Sequence, residues 1–289
     1  MPSLKDIRRR IGSVKNTQKI TQAMKLVAAS KLRRAQDNIT KARPYALELQ
    51  EMISELALRA HQEDHPLLAI RDPNRVLLVV LTSDRGLCGG FNSNILRTAE
   101  RYRRENGDLH DEIQLAVVGR KGRDYFAYRN IPVKHYFPGV DVNTALERAD
   151  TITATIIDDF LDDNLDKVFL LYNEFKSAMS QQITVEQLLP IRQLELPPDA
   201  GHAVDFLYEP DKITILETIL PMYVRIEVYR ATLESTASEF GARMTAMENA
   251  TNNASEMLDS LTLEYNKARQ AAITKELLEI VSGAEALKG

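Results

Sequence analysis

The sequence predicts an α/β protein. Its two terminal helices are expected to form a long antiparallel coiled coil, and its middle a small α/β domain with a mostly parallel sheet. Three observations predict this fold. Both ends of the chain carry apolar residues at heptad spacing over stretches far longer than an ordinary helix. The middle alternates short apolar runs of β-type residues with helical patterns. Positive charge is concentrated in the first of the two helical ends.

The N-terminal seam begins at Ile7 and advances alternately by four and three residues. Thirteen of its sixteen positions are apolar, so the heptad pattern continues well beyond the length that indicates a coiled coil. The positions are Ile7, Ile11, Val14, Gln18, Thr21, Lys25, Ala28, Leu32, Ala35, Ile39, Ala42, Ala46, Leu49, Ile53, Leu56 and Ala60. Pro44 lies within this stretch, and because proline removes a main-chain donor, a bend or a break is expected near residues 41–44.

The C-terminal seam has fifteen apolar positions out of seventeen when tyrosine is counted as apolar. The positions are Leu216, Ile219, Tyr223, Ile226, Arg230, Leu233, Ala237, Phe240, Met244, Met247, Thr251, Ala254, Leu258, Leu261, Tyr265, Ala268 and Ala272. Asp211 is a suitable N-cap and Gly283 a plausible end of the helix, while Pro221 suggests a local kink.

Helices of this length make rods of roughly 80 and 110 Å at about 1.5 Å per residue. Two such helices from opposite chain ends, joined by a compact middle, are expected to run antiparallel. Two ordinary amphipathic helices of a bundle are the alternative, but bundle helices rarely exceed about 25 residues without caps. The expected organisation is a coiled-coil helix at 1–60, a linker at 61–74, an α/β domain at 75–196, a linker at 197–209 and a second coiled-coil helix at 210–289.

The middle segment reads as a small Rossmann-like α/β domain. Its continuous apolar runs are typical of strands buried on both faces, and strands alternating with helices indicate parallel pairing through right-handed crossovers. The predicted strands are Val76–Leu81, Ile113–Val118 and Val168–Tyr172, with an edge strand at Gln182–Leu189. The predicted helices are Ile95–Arg104, Gly119–Tyr128 and Ala145–Leu161, and Leu196–Ala203 is predicted to be a loop.

The net charge of −4 conceals a marked asymmetry along the chain. The first 43 residues carry 12 Lys and Arg against two acids, a net of +10, whereas residues 44–209 have a net of −10 and the remainder −4. A basic first segment predicts an acidic partner, which could be nucleic acid, lipid headgroups or a protein surface.

The single cysteine, Cys88, excludes an intramolecular disulfide and fits a reducing compartment. No apolar run approaches the roughly 18–20 residues that span a bilayer, so membrane association is expected only through partners.

The glycine-rich stretch Ser83–Gly90 follows a predicted strand and precedes a predicted helix, which is where nucleotide-binding proteins place a phosphate loop. It lacks the Gly-Lys-Ser/Thr ending of a P-loop and the glycine spacing of a dinucleotide fingerprint. Glycines that let the loop approach another backbone closely, such as the coiled coil, are the better explanation.

Other candidates for chemistry are weak. His61 and His65 have helical i, i+4 spacing, but Gln62 replaces the glutamate that a zincin motif requires. A nucleophilic Cys88 would need a histidine as its base, and no histidine has a sequence context that indicates this role. The acidic run Asp158, Asp159, Asp162 and Asp163 is interpreted as a solvated helix end. The sequence therefore predicts no catalytic residue, no metal site and no cofactor.

The N-terminal seam turns polar over two helical turns, at Gln18, Thr21 and Lys25, while Ile20 and neighbouring apolar residues move to an adjacent face. A seam that gives up apolar pairing suggests contact with another partner. A polar layer that only fixes the register of the two helices is the alternative.

Three long motifs resemble the F-type ATP synthase γ subunit of the bacterial type. They are KNTQKITQAMKLVAASKLRRAQ near the N-terminus, SDRGLCGGFN after the first strand and YNKARQAAITKELLEIVSGAEAL near the C-terminus. The resemblance covers essentially the whole chain. It implies a rotor, one copy per complex, whose coiled coil threads a hexamer of α and β subunits and whose foot contacts the ε subunit and the c ring. It also implies a peripheral location on the cytoplasmic face of the inner membrane, with catalysis in β and not in this chain.

The resemblance also implies roles for individual residues. Contacts with the α and β subunits are expected at a collar and at catch loops, formed by Lys19, Ile20, Met24, Lys25, Arg243, Arg269, Gln270, Thr274 and Glu276. Foot contacts with ε and the c ring are expected from Arg85, Gly86, Leu87, Cys88, Gly89 and Gly90. The sparsely charged end at 277–287 suggests a smooth bearing, and the lack of a cysteine-containing insertion argues against thiol regulation.

Two other functions stay open at this point. A Rossmann-like nucleotide-binding enzyme with helical arms predicts saturable nucleotide binding by the isolated chain. A basic coiled coil that binds nucleic acid predicts DNA affinity that falls steeply with salt.

Overall fold

The computed structural model describes residues 3–57, 65–71, 74–107, 109–162, 164–191 and 211–286. The chain divides into two compact units. The helix-pair unit comprises residues 3–27 and 244–286, and the sheet unit comprises Ala28–Arg243. Both long helices contribute to both units, so the units do not coincide with the contiguous segments expected from the sequence, and those segment boundaries stay a prediction. The expected linker at 197–209 and the loop Leu196–Ala203 lie outside the described residues, as do positions 61–64, 72 and 73 of the expected linker at 61–74.

The two long helices are α1 (Leu4–Ala57) and α5 (Lys212–Ala286). Helix α1 continues through Pro44 and α5 through Pro221, so the possible break near residues 41–44 does not occur. One missing main-chain donor does not end a helix whose neighbouring turns keep their hydrogen bonds. The Asp211 carboxylate accepts a hydrogen bond from the Thr214 amide (2.9 Å), which confirms the predicted cap. Helix α5 continues past Gly283, because a single glycine costs a helix only about 1 kcal/mol.

The predicted seam is visible in the burial of the helix-pair unit. On α1, Ile7 and Thr21 are buried and the intervening seam positions are half-buried, whereas most of their neighbours are exposed. On α5, the only positions between 255 and 283 that are not exposed are Leu258, Leu261, Tyr265, Ala268 and Ala272. Each of these five belongs to the predicted C-terminal seam. A narrow buried line of this kind is the signature of a coiled-coil pair.

The pairing in this unit is antiparallel. The Thr21 and Thr251 hydroxyls lie 2.7 Å apart, and one turn further along α1 the Lys25 ammonium contacts the Glu248 carboxylate at 2.6 Å. The residue number therefore rises along α1 as it falls along α5.

The sheet unit is built on five strands in the order β3-β2-β1-β4-β5. They are β1 (Arg75–Leu81), β2 (Glu112–Val118), β3 (His135–Phe137), β4 (Lys167–Phe175) and β5 (Gln181–Leu189). All neighbouring pairs are parallel except β4 and β5, which are antiparallel. The edge strand and the mostly parallel sheet agree with the sequence prediction. Strand β3 was missed because three residues are too short to show an alternating pattern.

Helices cover both faces of this sheet. Helices α2 (Phe91–Glu105) and α3 (Arg120–Tyr128) pack on one face, where Leu78, Val80 and Phe126 are fully buried. Helix α4 (Ala145–Leu161) and the first part of α5 pack on the other face, around Leu77 and Val79. The apolar run of β1 thus divides its side chains between two cores, as its uninterrupted hydrophobicity predicts.

Candidate interaction surfaces and the glycine loop

The glycine loop, residues 83–90, connects the carboxyl end of β1 to α2. Its first residue, Ser83, donates its main-chain N–H to the Asn92 side chain (3.0 Å) and its hydroxyl to the Arg85 carbonyl (2.8 Å). Leu87 and Gly89 both have positive φ, of 62° and 56°, so the chain reverses sharply before α2 begins. Leu87 is largely exposed at the tip of this turn.

The neighbouring helix α3 starts very close to this loop. A Cβ on Gly122 would lie 2.5 Å from Val117 Cγ1, so only glycine fits there. The Asp84 carboxylate accepts hydrogen bonds from the main-chain N–H groups of Arg120 (2.8 Å) and Gly139 (3.2 Å). A carboxylate at a helix N-terminus is favoured by the helix dipole, so Asp84 fixes the loop to α3.

Arg243 of α5 binds the glycine loop from the other side. Its guanidinium donates to the carbonyl oxygens of Arg85 (3.2 Å) and Gly86 (3.3 Å) and pairs with Glu239 at 2.6 Å. Both charged side chains are largely buried, and burial raises the pKa of Glu239 against the opposing charge of Arg243.

This arrangement is the reverse of a phosphate site. A phosphate loop presents main-chain N–H donors to an anion, whereas here loop carbonyls face a guanidinium that belongs to the same chain. The crevice at the carboxyl ends of parallel strands, where α/β proteins usually bind their ligands, is thus partly filled by α5. The contact agrees with the interpretation that the glycines let the loop approach a long helix.

Cys88 is buried beneath this loop, and burial raises the pKa of its thiol. The Asn92 amide donates to Cys88 Sγ at 3.2 Å, and in the described part of the chain no histidine contacts the sulfur. A nucleophilic cysteine needs a lowered pKa, so this environment favours a packing role.

The expected collar residues lie in the helix-pair unit. Lys19 and Ile20 are exposed, and Ile20 exposes 60% of its surface, whereas Met24 and Lys25 are half-buried. The polar interruption of the seam is paired within the chain, because Thr21 contacts Thr251 and Lys25 contacts Glu248. These contacts between the two helices support the interpretation that the polar layer fixes their register. Ile20 and Val27 are exposed and form an apolar surface beside the seam.

The expected catch-loop residues fall into two groups. Arg269, Gln270, Thr274 and Glu276 are all exposed on α5 within the helix-pair unit. Arg243 belongs to the sheet unit and is buried against the glycine loop. A contact between Arg243 and another subunit would require its guanidinium to leave the carbonyls of Arg85 and Gly86.

Sequence reasoning missed a partly buried polar cluster around Arg230. Its guanidinium donates to the carboxylates of Glu186 (2.7 Å) and Glu227 (2.7 Å) and to the Tyr172 hydroxyl (3.1 Å). Burial raises the pKa of Glu227, and it also raises that of Tyr172. The sequence did carry a signal for this cluster, because Arg230 and Thr251 are the two polar exceptions in the C-terminal seam. Each of them has a polar partner in the structure.

Other sequence candidates have structural roles. His65 Nδ1 accepts a hydrogen bond from the Leu67 amide (3.1 Å) and begins the short 3-10 helix Pro66–Leu68, while His61 lies outside the described residues. Asp159 is paired with Lys134 (3.0 Å) and His135 (2.7 Å), so this part of the acidic run is tied to β3 and is not simply solvated. Among the described residues, no group of His, Cys, Asp and Glu is arranged to hold a metal ion. No helix in the same part of the chain is long and apolar enough to cross a membrane.

A model of the ATP synthase family matches residues 3–287. The chain is 56% identical to the ATP synthase gamma chain of Anaeromyxobacter sp. (strain Fw109-5) over the full length of both proteins. It belongs to the ATP synthase gamma chain family. A second gamma chain, from Sorangium cellulosum, is 50% identical, again over both full lengths.

Solved structures agree with the gamma chain fold. A chain of the Tetrahymena thermophila mitochondrial ATP synthase central stalk and c ring aligns with a TM-score of 0.58 and 29% identity, covering 80% of this chain and 99% of that one. A chain of the Euglena gracilis mitochondrial ATP synthase OSCP/F1/c-ring assembly aligns with a TM-score of 0.70 and 21% identity, covering 98% and 94%. The second likeness concerns the fold alone.

Proposed function

We propose that this chain is the central rotor subunit of an F-type ATP synthase. It would transmit torque between an ion-driven c ring and the catalytic sites of a hexamer of α and β subunits. The observation that carries the proposal is the full-length match to gamma chains at 56% identity. The antiparallel helix pair supports it, because a shaft that transmits torque needs two stiff helices held in a fixed register.

In this proposal the chain is not itself catalytic. Catalysis resides in the β subunits. In this chain the glycine loop stands where a phosphate loop would, but its carbonyls accept hydrogen bonds from the chain's own Arg243. The chain would lie at the cytoplasmic face of a bacterial inner membrane as a peripheral subunit, in one copy per complex, in contact with ε and the c ring. The apolar, sparsely charged surface at the end of α5, including Ile280 and Val281, would serve as the bearing.

The proposed contacts are centred on residues that the structure exposes. Lys19 and Ile20, with Met24 and Lys25 beside them, would form the collar against acidic loops of β, which suits the +10 charge of the first segment. The exposed set from Arg269 to Glu276 would meet the catch loops. The glycine loop, with Leu87 at its tip, would belong to the foot that faces ε and the c ring.

The test is assembly with purified α and β subunits, followed by observation of single complexes. We expect a stable complex of three α, three β and one copy of this chain, and rotation of a probe on the chain when ATP is added. A chain ending at residue 276, which keeps the proposed catch-loop residues, serves as a second variant. We expect it to assemble but to turn with altered torque or friction if the end of α5 is the bearing.

Failure to form the complex would contradict the rotor proposal. Saturable nucleotide binding by the isolated chain would instead favour the enzyme alternative. DNA affinity that falls steeply with salt would favour the nucleic-acid alternative.

A further inference from the structure

The sheet unit carries an arginine groove, defined here as the groove lined by Asn94, Arg97, Thr98, Glu100, Arg101, Arg104 and Ile183. It lies between α2 and the edge strand β5 and has a volume of about 470 Å³. The three arginines have i, i+4 and i+7 spacing, which places them along one face of α2. They lie in a part of the sequence whose net charge is −10, so the composition of the segment does not explain them.

These arginines have few partners in their own chain. Arg97 donates to the Ser93 carbonyl (3.1 Å) and to the Asn94 side chain (3.2 Å), both neutral groups. Within the described ranges of the chain, neither Arg101 nor Arg104 forms an ion pair. The one carboxylate that lines the groove, Glu100, is held by Arg129 at 2.7 Å. Among the described residues, no carboxylate therefore pairs directly with the three arginines of the groove.

Stability of α2 explains only part of this pattern. Cations in the last helical turn interact favourably with the helix dipole, which accounts for Arg104. Arg97 and Arg101 lie earlier in the helix, where like charges four residues apart repel each other. The floor of the groove is partly apolar, since Ile183 lines it and Val185, two residues along the same face of β5, is exposed.

We propose that the arginine groove is a docking site for an acidic segment of a partner protein. Carboxylates of that segment would pair with Arg97, Arg101 and Arg104, and its apolar side chains would cover Ile183 and Val185. All the basic residues of α2 are arginines, whose planar guanidinium groups bind carboxylates through two parallel hydrogen bonds.

A protein partner suits the groove better than an anionic lipid surface does. Polybasic lipid sites use clusters of four to eight lysines or arginines on one flat face. Here three arginines line a concave surface, and Glu100 lies between two of them in the sequence. This proposal rests on the proposed function for the choice of partners to test, namely α and β together, the ε subunit and the c ring.

The experiment compares the full chain with R97E/R101E/R104E and with a control charge reversal, K41E. Lys41 is an exposed residue of α1 in the sheet unit and forms no ion pair within the described part of that unit. Binding to the α and β hexamer, to ε and to the c ring is measured separately, at about 0.05 M and 0.5 M salt. We expect the triple variant to bind ε or the c ring at least about tenfold more weakly at low salt, with a smaller difference at high salt. Binding of the triple variant to the hexamer should be unchanged, as should binding of K41E to ε and the c ring.

A milder variant, R97Q/R101Q/R104Q, guards against misfolding caused by three added acids. Unchanged binding of ε and the c ring by both triple variants would overturn the proposal, as would a wild-type chain that binds neither. Loss of binding to anionic lipid vesicles, with protein binding intact, would also overturn it and favour a lipid. Failure of the proposed function is distinguishable, because it would appear as a wild-type chain that does not assemble with α and β.

Discussion

Helix α5 is buried in two different ways in the two units. Between Leu216 and Gly241 it packs against the sheet as well as carrying the seam, and from Ala231 to Ser238 seven of its eight residues are buried. Beyond Ala254 only one residue in three or four is even half-buried. One helix thus serves as a core element of an α/β domain and as one of the two helices of the rod, which is the helix-pair unit. A rod can retain exposed surface for partners, whereas a domain core cannot.

Polar residues differ between the regions in the same way. In the sheet unit, Arg243 and Glu239 are largely buried and paired with each other, because an unpaired charge in a packed interior is costly. In the helix-pair unit the Lys25 and Glu248 pair is about half exposed. An exposed ion pair contributes little stability, so this pair is better suited to fixing register.

The largest expected effect tests whether stability is concentrated in the sheet unit. Phe126→Ala removes a fully buried ring from the α2 and α3 side of the core and should destabilise the sheet unit by about 3–5 kcal/mol. The matched change in the rod, Ile11→Ala, removes a half-buried side chain and should cost about 1 kcal/mol. Native-state hydrogen exchange of β2 and α1 amides measures the two losses separately. Equal losses would contradict the contrast between the units.

Arg243→Ala should cost the sheet unit about 3 kcal/mol, because it leaves Glu239 buried without its partner. Amides of the glycine loop should exchange faster, since two of its carbonyls lose their donor. The double variant R243M/E239Q removes both charges and should recover most of the loss. If the double variant were no more stable than Arg243→Ala, the buried pair would not be the source of the effect.

The pair between Asp166 and Arg75 predicts acid sensitivity in the sheet unit. Burial raises the pKa of Asp166, but hydrogen bonds from the Arg75 main-chain N–H (2.7 Å) and guanidinium (2.9 Å) outweigh burial and hold the pKa below its ordinary value. A lowered folded-state pKa stabilises the fold above the unfolded value, and this stability is lost as the pH falls through the folded value. Asp166→Asn should therefore cost about 1–3 kcal/mol at neutral pH and progressively less below about pH 4. Urea denaturation across this range provides the measurement, and a difference that did not shrink in acid would contradict the assignment.

The smallest effect concerns the polar layer of the rod. Thr21→Val leaves Thr251 without its interhelical partner and should cost about 1 kcal/mol, whereas T21V/T251V should be nearly neutral. Hydrogen exchange of α1 amides measures the coupling of the two changes. If the double variant were as unstable as the two single changes combined, the hydroxyl pair would not act as a unit.

Periodic features of this fold were predictable because they depend on neighbouring residues. The five lone half-buried positions from Leu258 to Ala272 were all named by heptad spacing, and the run Val76–Leu81 was recognised as a doubly buried strand. Of the bend or break expected near Pro44, the break does not occur, and β3 went unseen, since a single proline and a three-residue strand give weak local signals. The expected contact residues came from the resemblance and stay predictions, because a partner's surface is not written in this chain.

By itself, the sequence determined that two heptad seams would pair, that the middle would form a mostly parallel sheet, and that the glycine loop would not be a phosphate site. Only the tertiary structure decided what fills the crevice beside that loop and which polar seam residues meet. Arg243 and Arg85 are 158 positions apart in the chain, and Thr21 and Thr251 are 230 apart. Periodicity acts over a few residues along one element, whereas contacts at such separations depend on how whole elements pack.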